Sequence, residues 1–253
     1  MRSARLEFRA APTMLIDAAL SPSDIALLPQ RDLTSTTCVV LDVLRATSSM
    51  ITGLSHGAVE IYPVKTIEEA HELKGRLPAA LLAGERHGDP IVGFDLGNSP
   101  LEYRDVAGRA IISTTTNGTI ALRACEKAER VLVAALLNLQ AVADVILAGK
   151  PRNLLLVCGG TFADLALEDV YAAGRLMQLL ATAPNAVEVT DAGEVGLAVA
   201  GRFPSGLAAL QSAKNGRVLA SHGRSADVDW CARESIYDTV GFMEAAAIRS
   251  RPK

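Results

Sequence analysis

No apolar run in this chain of 253 residues reaches the length needed to span a bilayer, so membrane insertion is not expected. Neither sign of charge dominates. Twenty-five Lys and Arg stand against 28 Asp and Glu, a formal net charge of −3, and no long basic block appears, which argues against a nucleic-acid partner. Cysteine is scarce and scattered: Cys38, Cys125, Cys158 and Cys231 form no C-x-x-C pair and no zinc-ligand spacing. They are expected to be buried thiols in a reducing compartment, and the protein to be cytoplasmic. The phosphate-binding G-x-x-x-x-G-K-[ST] and dinucleotide-binding G-x-G-x-x-G signatures are both absent. Repeats, low-complexity tracts and a polar linker are missing too. Residues 1–12 carry Arg2, Arg5 and Arg9 without an apolar core and are expected to be an N-terminal extension, with 13–253 a single domain.

What is present is an alternation of strand-length apolar runs with helix-period segments. Strands are expected at 36–42, 58–64, 79–84, 110–114, 130–135 and 153–158, and helices at 45–55, 66–76, 118–127, 139–148 and 167–182. Ser99-Pro100 reads as a helix start, with Ser as cap and Pro in the first turn. Past residue 184 the pattern is mostly helical, with a closing strand near 239–244. This order predicts an α/β fold, a three-layer αβα arrangement around a mainly parallel, mixed sheet. Ligands of such sheets bind beyond the carboxyl ends of the strands. The residues that fall there are D-V-L-R-A-T (42–47), the loop 84–100, T-T-T-N-G-T (114–119), 136–138 and C-G-G-T-F-A-D (158–164).

The loop G-E-R-H-G-D-P-I-V-G-F-D-L-G-N-S-P (84–100) places four glycines and two prolines around Glu85, Arg86, His87, Asp95, Asn98 and Ser99. Its carboxylates and amide oxygen suit a hard cation such as magnesium, and Arg86 suits a phosphate or carboxylate, although a glycine-rich surface excursion would read the same way. Asp42 and Arg45 flank a helix start, either as an anion cradle or as a cap and its ionic partner. The run 114–119 offers hydroxyls, an amide and a glycine for a ligand, beyond what a capped turn requires. Glu168-Asp169 open a long helix, where dipole stabilisation explains them cheaply and metal binding is the sharper alternative. Gly53–Gly57 spells G-L-S-H-G, but a helix precedes it and a strand follows, the reverse of a hydrolase elbow. Cys158 lacks the arginine six residues on that a cysteine phosphatase would need, since Asp164 stands there.

D-V-L-R-A-T-S (42–48), G-E-R-H-G (84–88), G-F-D-L-G-N-S-P-L-E (93–102), T-T-T-N-G-T (114–119) and L-E-D-V-Y-A-A-G (167–174) together, in this order, resemble the 2-phosphosulfolactate phosphatase (ComB) family. The resemblance runs from about residue 13 to about 245. It implies a magnesium-dependent phosphatase that converts (R)-2-phospho-3-sulfolactate to 3-sulfolactate and phosphate, a step toward coenzyme M. On that substrate, Mg2+ would be held by Asp42, Asp95 and Glu168 or Asp169. Arg45 and Arg86 would grip anionic groups, while Asn117, Gly118 and Thr119, with Thr47, Asn98, Ser99, Thr115, Thr116 and Gly159, would bind substrate. Glu85 would be a base or an anchor. Attack by water and by an aspartyl nucleophile such as Asp42 both remain open, as does a homo-oligomeric state. The competing readings are a phosphatase for another phosphorylated 2-hydroxy acid and a non-catalytic binding protein for a small anionic metabolite.

Overall fold

Every residue of Thr36–Leu41 is buried, as a strand covered on both faces requires. In the computed structural model, which describes residues 14–182 and 187–251, this strand lies deep in a sheet that organises the chain. The expected extension 1–12 lies outside the described residues. The first half runs β1 (Met14–Ala19), α1 (Pro22–Leu27), β2 (Thr36–Leu41), α2 (Ala46–Ser55), β3 (Glu60–Pro63), α3 (Ile67–Arg76), β4 (Leu81–Arg86), β5 (Asp89–Pro90), β6 (Ala110–Thr114) and α4 (Gly118–Ala124). The second half runs β7 (Arg130–Ala134), α5 (Leu139–Gly149), β8 (Asn153–Cys158), α6 (Leu167–Ala181), β9 (Val187–Val189), α7 (Asp191–Arg202), α8 (Gly206–Ser212), α9 (Lys214–Ser221), α10 (Ser225–Cys231), β10 (Gly241–Glu244) and β11 (Ala247–Ser250).

Among the described residues eleven strands form one sheet in the order β5-β4-β6-β3-β11-β10-β7-β2-β8-β1-β9. The pairs β4–β6, β3–β6, β2–β7, β2–β8, β1–β8 and β1–β9 are parallel, so the class is the expected mixed, mainly parallel α/β sheet. The expected closing strand is half of the hairpin β10–β11. It wedges antiparallel between β7 and β3 and joins two parallel blocks into one sheet.

Alternation along the strands separates the two apolar layers. Val39, Leu41, Leu154 and Leu156 pack on one face with residues of α5 and α6, whereas Cys38, Val40, Leu155 and Val157 pack on the other with residues of α2 and α4. Burying each such Val or Leu side chain is worth about 1.5–3 kcal/mol. All four cysteines are buried and unpaired, as expected. The helix expected at Ser99-Pro100 is a single 3-10 turn, Pro100–Arg104, whose Leu101 N–H donates to Ser99 Oγ at 3.3 Å. Among the described residues no helix is long and apolar enough to cross a membrane.

Candidate active site

The carboxyl ends of β2, β4, β6 and β8 surround a cavity of about 140 Å³, roofed by the start of α9. Asp42, the residue after β2, lies inside it. Its carboxylate is packed against glycine backbone: a Cβ on Gly118 would fall 2.6 Å from Asp42 Oδ2, and one on Gly159 would fall 3.1 Å from the same atom. Glycine is therefore what lets the 114–119 and 158–164 loops close on this carboxylate. Ala46 N–H reaches Asp42 Oδ1 at 3.3 Å, the beginning of a cap for α2. Burial pushes the Asp42 carboxyl up to about 7; the charges of Glu85 and Glu168 push the same way, against the Ala46 N–H and Arg45.

Glu168, in the first turn of α6, is buried and accepts a hydrogen bond from Asn215 Nδ2 at 2.6 Å. The same amide donates to Thr161 Oγ1 at 2.6 Å, tying α9 to the loop after β8. Burial raises the Glu168 carboxyl, and the Asn215 bond opposes it. Neither Glu168 nor Asp169 is part of the cavity lining, and Asp169 has other partners. Its two oxygens accept from Val43 N–H at 2.8 Å and Gly160 N–H at 3.0 Å, so it ties the end of β2 to the loop after β8 and lies outside the cavity lining. Burial, then the Asp42 charge, raises its carboxyl against those two donors.

Arg45 lines the cavity with its guanidinium anchored from behind. Nη1 donates to Asp227 Oδ2 at 2.7 Å and Nη2 to the Gly88 carbonyl at 3.0 Å. Its ionic partner is thus Asp227 on α10 and not Asp42, the partner in the alternative to an anion cradle. Glu85 Oε1 accepts from Thr116 N–H at 2.7 Å, and Oε2 accepts from Gly88 N–H at 2.7 Å and Thr116 Oγ1 at 3.1 Å. That is an anchor's position, with the carboxylate satisfied by two loops. Asn98 lines the cavity too, and its Oδ1 is buried without a hydrogen-bond partner.

Several expected site residues are turned to other tasks. Strand alternation sends Arg86 away from Glu85's side, and its guanidinium donates to Thr114 Oγ1 at 2.8 Å and the Glu85 carbonyl at 2.7 Å, outside the cavity lining. Asp95 accepts from Leu82 N–H at 2.8 Å and stands 4.0 Å from Lys74 Nζ, so it supports the edge of the sheet and is no partner of Asp42 or Glu168. Thr47 is fully buried, bonding the backbone N–H and carbonyl of Asp42, and Ser99 donates to Asp227 Oδ1 at 2.6 Å. Thr115 and Thr119 bond each other reciprocally across one turn. Thr116 and Asn117 do line the cavity. Asn117 spends its amide on the Gly159 and Phe162 carbonyls and the Phe162 N–H. Lys214, Asn215, Thr161 and Asp227 were not among the expected residues; three sit on late helices whose docking no local pattern announces.

Among the described residues, no three of His, Cys, Asp and Glu converge tightly enough to enclose a metal by themselves. Magnesium does not need that, since it is commonly bound through one or two carboxylates plus water and substrate phosphate. Asp42, in the cavity lining, and Glu168, buried behind Asn215 with its charge repelling that of Asp42, fit such a role.

A family model described as 2-phosphosulpholactate phosphatase matches residues 24–246. The chain belongs to that family. It is similar to proteins named probable 2-phosphosulfolactate phosphatase from Deinococcus radiodurans, 44% identical over 200 residues (78% of this chain, 83% of that protein), and Carboxydothermus hydrogenoformans, 40% identical over 202 residues (80% and 84%). A third, from Thermotoga petrophila, is 39% identical over 223 residues, covering 86% of this chain and 93% of that protein. The matched span contains Asp42, Arg45, Glu168 and Asp227, so the family region includes every element that builds the cavity.

Proposed function

We propose that this member of the 2-phosphosulpholactate phosphatase family is a magnesium-dependent, cytoplasmic phosphatase that hydrolyses (R)-2-phospho-3-sulfolactate to 3-sulfolactate and phosphate, the step toward coenzyme M that the family resemblance implies. The observation that carries this reading is that a buried carboxylate, Asp42, and a buried guanidinium, Arg45, line one small cavity, while a second buried carboxylate, Glu168, is held by the lining residue Asn215 close enough for its charge to act on Asp42. A protein that merely bound an anion would need the cation alone. Buried carboxylates repel an anionic ester unless a divalent cation stands between them, so their presence favours catalysis.

Asp42 and Glu168 would hold Mg2+, which supplies neutralisation of charge on the phosphoryl oxygens. Arg45, its plane held by Asp227 and Gly88, directs its remaining donors at a phosphoryl oxygen. Lys214, at the start of α9, lines the cavity with its ammonium 3.5 Å from Asp164 Oδ2, and would turn from that exposed partner to the second anionic group of the substrate. Glu85 and Asn117 keep the loops around the ester in register and limit the entry of water.

The test is phosphate release by the purified protein from racemic 2-phospho-3-sulfolactate, set beside phosphorylated 2-hydroxy acids without a sulfonate. Expected is the highest kcat/KM for the sulfonated ester, loss of turnover on chelation, and recovery with Mg2+. Preference for an ester without the sulfonate would move the reading to another phosphorylated 2-hydroxy acid. No release from any ester with any divalent metal would leave a binding protein.

A further inference from the structure

A second cavity, of about 530 Å³, adjoins the catalytic one and shares Thr116, Asn117 and Phe162 with it as a common wall. Apart from these three and Gly159, which packs against Asp42, the proposed reaction uses nothing in it. Pro22, Ile25 and Pro29, from α1 and the turn after it, give it an apolar side, and Ile120 of α4 adds a side chain that is 45% exposed. Lys65, Arg123 and Lys127 bring three positive charges to the same concavity against one acid, Glu126. That acid is taken: its Oε2 lies 3.2 Å from Arg123 Nε. The ammonium groups of Lys65 and Lys127 have no ionic or hydrogen-bonding partner among the described residues.

A concave site of this size with apolar walls and a few convergent polar groups has the make-up of a small-molecule site. We propose that it binds an organic anion with an apolar body, the body against Ile25 and Ile120 and the charge between Lys65 and Lys127. Such an occupant bears on catalysis through the shared wall. Asn117 Nδ2 donates to the Phe162 carbonyl at 3.2 Å, and the Phe162 ring stacks on His87 with centroids 5.5 Å apart. His87 lines the catalytic cavity, so displacing Phe162 reshapes its mouth. Binding at this site does not depend on the phosphatase reading; only its kinetic consequence does.

The experiment titrates the whole protein with 1-anilinonaphthalene-8-sulfonate and with the uncharged N-phenyl-1-naphthylamine, followed by fluorescence. The sulfonate dye is expected to saturate one site and to bind more tightly than the neutral dye. Lys65→Glu combined with Lys127→Glu, both at exposed positions, should weaken the sulfonate dye tenfold or more and leave basal turnover and melting temperature unchanged. Arg45→Lys should leave dye affinity unaltered. Weakening of less than tenfold, equal binding of the two dyes, or loss of dye binding in Arg45→Lys would each overturn the proposal. Because the readout is fluorescence, these outcomes stand whether or not the protein releases phosphate. Where it does, saturating dye should shift KM in the wild type and have no effect in the double variant.

Discussion

Arg45 and Asp227, 182 residues apart in the chain, meet as a buried ion pair with Nη1 2.7 Å from Oδ2 and about 5% of each side chain exposed. The other oxygen of Asp227 accepts from Ser99, and the other arm of Arg45 reaches Gly88, so α10, the 84–100 loop and the start of α2 converge on one guanidinium. A planar fork held from behind is preorganised to stabilise charge in front of it.

Arg45→Lys should therefore lower kcat/KM roughly a hundredfold, because a donor directed at a transferring phosphoryl group is worth about 3 kcal/mol and a point charge cannot reproduce the fork. The lysine keeps a positive charge opposite Asp227, so melting temperature should fall only slightly. Asp227→Ala, which leaves that charge buried and alone, should cost about 3–5 kcal/mol of stability. Steady-state kinetics beside chemical denaturation separate the two, and activity losses that merely track unfolding would make Arg45 a structural residue.

Gly118→Ala places a methyl group where Asp42 Oδ2 and Ala46 Cβ each lie 2.6 Å away. Neither can retreat freely in a buried site. Overpacking should destabilise the fold by about 1–3 kcal/mol, and displacement of the carboxylate should lower kcat roughly a hundredfold. Wild-type turnover in this variant would separate Asp42 from the reaction.

Cys158 ends β8 next to the cavity, yet it is fully buried, and burial followed by the Asp169 charge raises its thiol well above the ordinary range. Cys158→Ser should retain most of kcat. Loss of turnover with the fold intact, seen by circular dichroism, would demand a thiol in the mechanism.

The strands β2, β6, β7 and β8 were legible from their apolar runs to within about a residue or two of their ends, and with them the strand ends that carry Asp42, Thr115 and Gly159. β1 was not read. Its pattern M-L-I-D-A-A is short and broken by Asp17, and what makes it a strand is pairing with β8, more than a hundred residues away. The hairpin partner β11 was missed for the same reason, since its place between β10 and β3 is tertiary. Within the site, sequence separated Glu85 from Arg86 poorly: neighbours on a strand point to opposite faces, and which face meets the cavity depends on packing. Asp95 carried the right chemistry in the right loop, but the Leu82 N–H had first claim on it. Asn215 and Asp227 belong to short helices without a recognisable motif, and they reach the site only because α9 and α10 fold back over the strand ends.

The proposed magnesium site at Asp42 would tie metal binding to pH. The ordinary value of the Asp42 carboxyl is 3.8, and burial raises it to about 7 in the folded protein. An acid raised on folding contributes stability that is fully present below the unfolded value and is lost as pH rises through the folded one, because above about 7 the fold must carry a buried charge. The divalent cation proposed on Asp42 and Glu168 would bind the ionised form and compensate that charge, so it would compete with the proton below 7. The rise in melting temperature on adding Mg2+ should consequently be small near pH 5 and large near pH 8, and titration calorimetry near pH 6 in buffers of different ionisation enthalpy should show proton release. Asp42→Asn should remove both effects. A magnesium-induced rise that is equal at the two pH values, or that survives in Asp42→Asn, would place the cation elsewhere.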